Sequence, residues 1–321
     1  MRSDPRSLAS TLGLSPVQAR AAQGVLRAVV EADGPPRAAG VRLLATAARA
    51  LELGEVPVAT LRAVLEVVTT PAMRRGLVDA LLIAACIEGE VTPAGEAVVR
   101  SFARALGVRS PWVDVLGPLR RRRAFAVKRR LAVRSPDARR LFARIWAEEG
   151  LAGLWRAGRF VLGRYTDPAT AARFRLLGAL PPGTYGRMFF DHLVSRGLAF
   201  PGEPGGMPER MIHHDLMHVA NGYGTDPAGE CELAGFYAGF CPGDGFTFIV
   251  TALATFHLGL AVSPAAVTPA RGAFDPQRVL EGYLRGRRLR VDVMGPWDYW
   301  SLLPLPIAEA RARLGIAAET G

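Results

Sequence analysis

At 321 residues the chain has room for two ordinary domains or one large helical one. Half of it is apolar and 21% is charged, which excludes wholesale disorder and supplies enough side chains for a sizeable core. The net charge is +11, but nearly all basic residues are Arg, with Lys128 the one lysine, among abundant Ala, Gly, Pro and Val; a GC-rich genome explains that pattern as well as an anionic membrane surface or other polyanion does.

Cys86, Cys231 and Cys241 are too few for a disulfide framework or a cysteine-based zinc cluster at this length. Cys86 lies in an apolar run and reads as core. The opening Met1–Arg6 lacks the apolar segment of a secretory signal, so a cytoplasmic location is expected. From Gly245 to Val262 there is no Asp, Glu, Lys or Arg, but Thr247, Thr251, Thr255, His257 and Gly259 dilute the stretch. It reads as a covered core helix before a membrane-touching one, and not as a span.

Ser15-Pro16 is an N-cap followed by Pro at the first helical position, and it opens a helix that Gly34-Pro35-Pro36 breaks. Helices follow from about 41 to Gly54, over 58–68, and over Gly76–Ile87. Glu88-Gly89-Glu90 stops the last of these, and Thr92-Pro93 opens another, whose Val98, Val99, Phe102, Ala103 and Leu106 fall at helical spacing. This apolar helix, acidic Gly-containing turn and Thr-Pro helix start, over Leu77–Gly107, resemble the TerB-like helical family. Glu88 stands where that family usually has Asp, and the turn reads as a helix–helix connection. Residues 109–140 form a junction, with Arg120–Arg123 and Lys128-Arg129-Arg130 interleaved by Phe125, Val127 and Leu131. It is a solvated helix face, or a basic amphipathic helix on acidic lipid. No zinc finger or helix-turn-helix signature accompanies it, so no nucleic-acid partner is expected. Further helices are predicted near 137–148, 150–163, 167–177, 183–196, 207–221, 229–240, 246–261 and 275–285. The predicted fold class is all-α.

The chemistry concentrates in Met211–Glu230. On a helix, residues four apart lie one turn above each other, so His214 and His218 can present both imidazoles to one ion. Asp215 shares an edge of that face, as a ligand or as the acceptor that orients an imidazole. Asn221-Gly222-Tyr223-Gly224 and Asp226-Pro227 are turn chemistry, which lets a second helix bring Glu230 back toward the pair. Alone, H-D-x-x-H is a weak signal, because a lone helical histidine is more often core. His213 points about 100° away on an ideal helix and falls outside the set. His192 and His257 read as structural.

The pattern H-D-x-x-H, eleven residues, then E, in His214, Asp215, His218 and Glu230, resembles the signature of the Coq4 family of coenzyme Q biosynthesis proteins. Gly222 and Gly229 match as well. Upstream, Leu180-Pro181-Pro182-Gly183-Thr184-Tyr185-Gly186-Arg187 with Phe189, Phe190 and Leu193 resembles a family block. Downstream, Trp297-Asp298 and Pro306–Ile316 resemble the family's C-terminal ending, with Asp298 in place of the more usual Glu. The resemblance covers roughly 135–317. The expected organisation is a TerB-like module over 1–110, a basic linker over 111–136 and a Coq4-like domain over 137–321.

The resemblance implies one divalent metal held by His214, Asp215, His218 and Glu230, with the same residues catalytic. Zinc is the first choice, with iron(II) or cobalt as alternatives. It implies a prenylated benzoate or quinone precursor as substrate, C1 decarboxylation, oxidative or not, and peripheral association with the inner face of the membrane. Arg187, with Tyr185 and Tyr223, is the candidate substrate-binding set; for Arg187 a helix-capping surface role weighs equally. Met188, Phe189, Phe190 and the 246–261 helix are either an isoprenoid channel or ordinary core. The competing readings are a non-enzymatic prenyl-lipid scaffold that organises other quinone-biosynthesis proteins, and an HD-type phosphohydrolase. The latter fits poorly, because His192 and Asp226 or Asp244 are badly placed for its remaining ligands. A homo-oligomer is expected.

Overall fold

Among the described residues, eight helices begin on a side chain that accepts a hydrogen bond from the backbone three residues on: Ser15, Thr60, Thr70, Thr92, Asp167, Thr184, Asp226 and Asp275. Six of these caps are followed directly by Pro16, Pro71, Pro93, Pro168, Pro227 or Pro276, whose missing N–H costs nothing in the first turn. Each cap is worth roughly 1 kcal/mol and fixes where the chain enters the helix.

The structure, a computed structural model, describes residues 8–54, 56–134, 136–161, 165–241, 245–262 and 267–316. The Met1–Arg6 reading and Asp244 lie outside them. The helices run in the order α1 (Leu8–Leu12), α2 (Pro16–Val30), α3 (Ala38–Ala50), α4 (Leu61–Val67), α5 (Pro71–Cys86), α6 (Pro93–Ala105), α7 (Leu116–Arg120) and α8 (Ala124–Arg134). There follow α9 (Pro136–Val161), α10 (Pro168–Arg175), α11 (Tyr185–Ser195), α12 (His213–Asn221), α13 (Pro227–Phe240), α14 (Phe246–Ala252), α15 (Pro276–Gly286) and α16 (Ile307–Leu314). Among the described residues there is no strand, only the isolated bridges Thr184–Pro306 and Leu258–Arg271. The protein is all-α.

Two compact units divide the chain. The first holds residues up to Arg134 together with the described parts of 246–263 and 267–280. In it α2 packs against α3, α4, α5 and α6, over a core of Val25, Val64, Val78, Leu81, Leu82 and Val99. Glu88 in the predicted turn accepts from the backbone N–H of Arg37 and Gly40 at 2.9 and 3.1 Å, so it caps α3. Cys86 is buried, and burial pushes its thiol up to about 12. His257 sits between the Ile87 carbonyl at 2.9 Å and the Phe274 N–H at 3.3 Å, both ring nitrogens used, as a structural histidine would be. On α8, Val127 and Leu131 are buried and Phe125 is exposed.

The second unit holds Ser135–Gly245 and the chain from Glu281 onward. Here α11 and α16 pack on α12, and α12 on α13, over Phe174, Tyr185, Phe189, Leu193, Leu216 and Phe236. The two sequence blocks flanking the histidines are neighbours. Tyr185 N–H donates to Leu305 O at 2.8 Å, Gly186 N–H to Leu303 O at 2.7 Å and Ile307 N–H to Gly183 O at 3.0 Å.

Two predicted helices differ. The stretch over 207–221 becomes a short 3-10 turn, Glu209–Met211, that leads into α12; Pro208 before it is extended, with ψ 143°. The pair predicted over 137–148 and 150–163 is two helices that meet at Gly150, whose φ 57° and ψ −141° are non-helical, and they share the label α9. The 246–261 helix is α14 followed by a wider turn over Leu253–His257, and it ends at Gly259 with φ 69°. This segment groups with the first unit. No described helix is long and apolar enough to cross a membrane.

Candidate metal centre

Two short helices and the turn between them build the site. Gly222 ends α12 in the left-handed conformation, φ 73°, where a side chain would be strained. Asp226 caps α13 by accepting from Gly229 N–H at 2.7 Å. A Cβ on Gly229 would lie 2.0 Å from the Gly224 carbonyl oxygen, so only glycine lets the first turn of α13 pass so close to the preceding loop. This reversal returns Glu230 to the face of α12 that carries His214 and His218.

His214 Nε2 stands 3.4 Å from Glu230 Oε2, and His218 Nε2 stands 3.3 Å from Oε1 of the same carboxylate. The three ligand atoms lie within 4.8 Å of one another. A tetrahedral ion with bonds of about 2.0–2.1 Å separates its ligands by about 3.3 Å, so the spacing fits one divalent ion. The His218 side chain is fully buried while that of His214 is 35% exposed, so the site opens toward solvent past His214. His218 has no hydrogen bond on either ring nitrogen. A buried imidazole left that way is costly, and an ion at Nε2 would satisfy that nitrogen.

Asp215 is not among the converging three. Its side chain leaves the helix about 100° from that of His214, and Oδ1 meets His214 Nδ1 at 3.1 Å. A carboxylate can only accept, so Nδ1 carries a proton toward Asp215, and Nε2, which faces Glu230, is the nitrogen that would give up its proton to an ion. Of the two roles open to Asp215 in the sequence, this geometry matches the orienting one.

The charges are set by the same contacts. Burial alone would lower His214, but hydrogen bonds to Asp215 and Glu230 outweigh it and lift the imidazole to about 10. Burial would raise Glu230, but His214 and His218 pull it down to about 2. Without an ion, the site is an imidazolium held between two carboxylates.

The other candidates have partners of their own. Tyr185 is buried and donates to Leu216 O at 2.7 Å, tying α11 to α12. Arg187 bonds Asp191 at 2.9 Å and the Gly178 carbonyl at 3.2 Å. Tyr223 is buried, with Phe236 against its ring and the Arg285 guanidinium 5.4 Å above it. His213 Nδ1 meets Tyr237 Oη at 2.6 Å, and burial holds it down at about 3. His192 stacks on His218 with ring centroids 6.1 Å apart, and burial lowers it to about 4.

Several supporting residues carried no local signal. Arg311 Nε donates to Ala220 O at 2.7 Å and Arg285 Nη1 to Asn221 O at 3.0 Å, so two guanidiniums hold the negative end of α12. Glu209, just ahead of α12, accepts from Tyr299 Oη–H and from Trp300 Nε1–H at 3.1 Å, with Arg173 at 3.6 Å. Both sets join segments far apart in sequence, and α12 lies between them.

No protein-family model matches the chain, and no curated protein does. A similarity is found to the crystal structure of a provisionally named ubiquinone biosynthesis protein from Nostoc punctiforme, at 19% identity, over 78% of this chain and all of that one, with a TM-score of 0.33. At that score the likeness assigns no function.

Proposed function

We propose that the chain is a Coq4-like, metal-dependent protein acting on the ring of a prenylated hydroxybenzoate or related quinone precursor, with loss of its C1 carboxylate. The supporting observation is the convergence of His214, His218 and Glu230 at the spacing of one ion. The implied substrate, reaction and family follow from the sequence resemblance.

A divalent ion bound there supplies a Lewis acid for an anionic oxygen of the substrate. The protein's own contribution is placement and charge. His218, fully buried, fixes the inner wall. Asp215 holds the His214 ring with its Nε2 toward the site. Three protein ligands leave one position of a tetrahedral ion for water or substrate, and the partly exposed side at His214 gives the approach. Zinc suits this donor set, as does iron(II) in a two-histidine, one-carboxylate arrangement, which would be the natural tool if the step is oxidative.

The test is elemental analysis of the purified chain and of His218→Ala, followed by incubation of a prenylated hydroxybenzoate under air with zinc, iron(II) and cobalt in turn. About one ion per wild-type chain, its loss in the variant, and release of carbon dioxide with a matching ring product support the proposal. A wild-type protein that takes up no ion overturns it. Metal and prenyl-lipid binding with unchanged substrate would favour the scaffold reading.

A further inference from the structure

His218 has a requirement that the three converging atoms do not meet. Its Nε2 faces Glu230 at 3.3 Å, so an ion in the site binds that nitrogen. A ligating imidazole keeps one N–H, so Nδ1 then carries the proton and points away from the ion. The His218 side chain is fully buried, and no described residue bonds its Nδ1. A buried N–H without an acceptor is costly. Ligating histidines almost always donate that second N–H to an acceptor, which fixes the ring. His214 does so through Asp215 at 3.1 Å.

An acceptor for His218 stands on α11. His192 follows Tyr185 by seven residues, two helical turns, and lies on the same face of that helix. Tyr185 Oη–H donates to Leu216 O at 2.7 Å, which pins this face against α12 two residues before His218. The His192 ring stacks on the His218 ring, with centroids 6.1 Å apart and planes 25° from parallel. His192 is 8% exposed, and its Nε2 is buried with no hydrogen-bond partner among the described residues. A histidine that only supports the fold behaves otherwise: His257 uses both ring nitrogens, on the Ile87 carbonyl and the Phe274 N–H. The two stacked rings complement each other. With an ion bound, one has a proton to donate and the other a lone pair to receive it. A centroid separation of 6.1 Å is a gap that one shared water closes.

We propose that His192 is a positioning residue of the metal centre, its Nε2 accepting through one shared water from the Nδ1–H of ion-bound His218. Asp215 braces His214 and His192 braces His218, so both imidazoles are held from behind. His192 stands inside the sequence block that precedes the site but is not among the residues that carry its family resemblance. The inference rests on the metal-binding reading above.

The test uses the full chain, loaded with zinc for affinity by chelator competition and with cobalt for proton NMR. In the cobalt protein the N–H protons of ligating imidazoles give hyperfine-shifted signals that disappear in heavy water. Asp215→Ala should move one of these signals, that of His214, and His192→Phe the other. His192→Phe keeps a ring in the stack and removes the acceptor, and should weaken zinc affinity about tenfold and speed exchange of the His218 proton. His192→Gln, which restores an acceptor, should recover part of both. Unchanged zinc affinity in His192→Phe overturns the proposal. So does weaker affinity with the His218 signal in place, which leaves His192 a packing role alone. If His192→Phe does not fold, His192→Leu against His192→Gln makes the same comparison. A wild-type chain that takes up no ion fails the metal reading and this inference with it, whereas an ion-binding chain indifferent to His192 fails this inference only.

Discussion

Asp215 Oδ1 lies 3.1 Å from Nδ1 of His214, while His214 Nε2 faces Glu230 at 3.4 Å. One imidazole is therefore held at both ends by carboxylates that differ in function. Asp215 fixes the tautomer, and Glu230 shares the space an ion would fill. Asp215→Ala should weaken zinc affinity by roughly 10–100-fold, measured by competition with a chromogenic chelator, while the saturated protein still takes up one ion. Asp215→Asn, which keeps an acceptor, should fall between the two. If Asp215→Ala removes the ion altogether, as His218→Ala should, Asp215 is itself a ligand.

The two shifted groups set a pH dependence whose sign can be worked out. His214 is raised from 6.5 to about 10, so its contribution to the stability of the ion-free protein is complete below 6.5 and is lost as pH climbs through about 10. Glu230 is lowered from 4.5 to about 2, so its contribution is complete above 4.5 and is lost as pH falls toward 2. Together they favour the ion-free protein most between 4.5 and 6.5. An ion must displace the His214 proton. Zinc affinity should therefore rise about tenfold per pH unit across neutrality, with one proton released per ion. Calorimetry in two buffers of different ionisation enthalpy measures that proton. No proton release would mean that His214 is neutral before the ion arrives.

The elements of the site were legible because their signals are local. A histidine pair at helical spacing, the stop at Gly222, the cap-and-Pro start at Asp226-Pro227 and the carboxylate one turn in can all be read along the chain. The same holds for Thr92-Pro93 and Ser15-Pro16. What could not be read is how α12 is held. Arg311 is one of several basic residues near the end of the chain, and nothing in its neighbourhood singles it out for the Ala220 carbonyl. Glu209 lies in text that continues the helical pattern of α12, and the partners of its carboxylate, Tyr299 and Trp300, lie far along the chain. The sequence leaves Asp215 two roles, and the 3.1 Å contact with His214 that matches the orienting one depends on side-chain placement that no spacing reveals.

Arg311 gives a test of that hidden support. Its Nε reaches the Ala220 carbonyl at 2.7 Å, two residues beyond His218 and partly shielded from water. Arg311→Met keeps the bulk and removes the donor. It should cost roughly 1.5–3 kcal/mol of stability, the range for a hydrogen bond to a charged group. It should also weaken zinc binding severalfold, because the register of α12 sets the His218 position. Arg311→Lys should recover part of both. The visible absorption of the cobalt-substituted protein separates the two effects: a displaced helix changes the ligand field, whereas a general loss of stability leaves the folded fraction with the wild-type spectrum.

Glu230 depends on a crossing that glycines make possible. A Cβ on Gly286 of α15 would stand 2.0 Å from the Phe236 carbonyl oxygen of α13, and one on Gly282 2.5 Å from that of Glu232. From the other side, a Cβ on Gly239 would come 2.2 Å from the Tyr283 carbonyl oxygen. These are backbone atoms and no rotamer relieves the clash, so Gly286→Ala must push the helices apart. It should lower stability by about 1–3 kcal/mol or more, seen as a lower melting temperature, and loosen zinc binding because Glu230 rides on α13. Gly76→Ala on α5 is the control. Nothing lies within 4 Å of its added Cβ, and relief of helical glycine entropy should raise stability by roughly 0.5–1 kcal/mol. Opposite signs for the same chemical change would place the cost of Gly286→Ala in the α13–α15 crossing; equal signs would show that the two helices do not approach so closely.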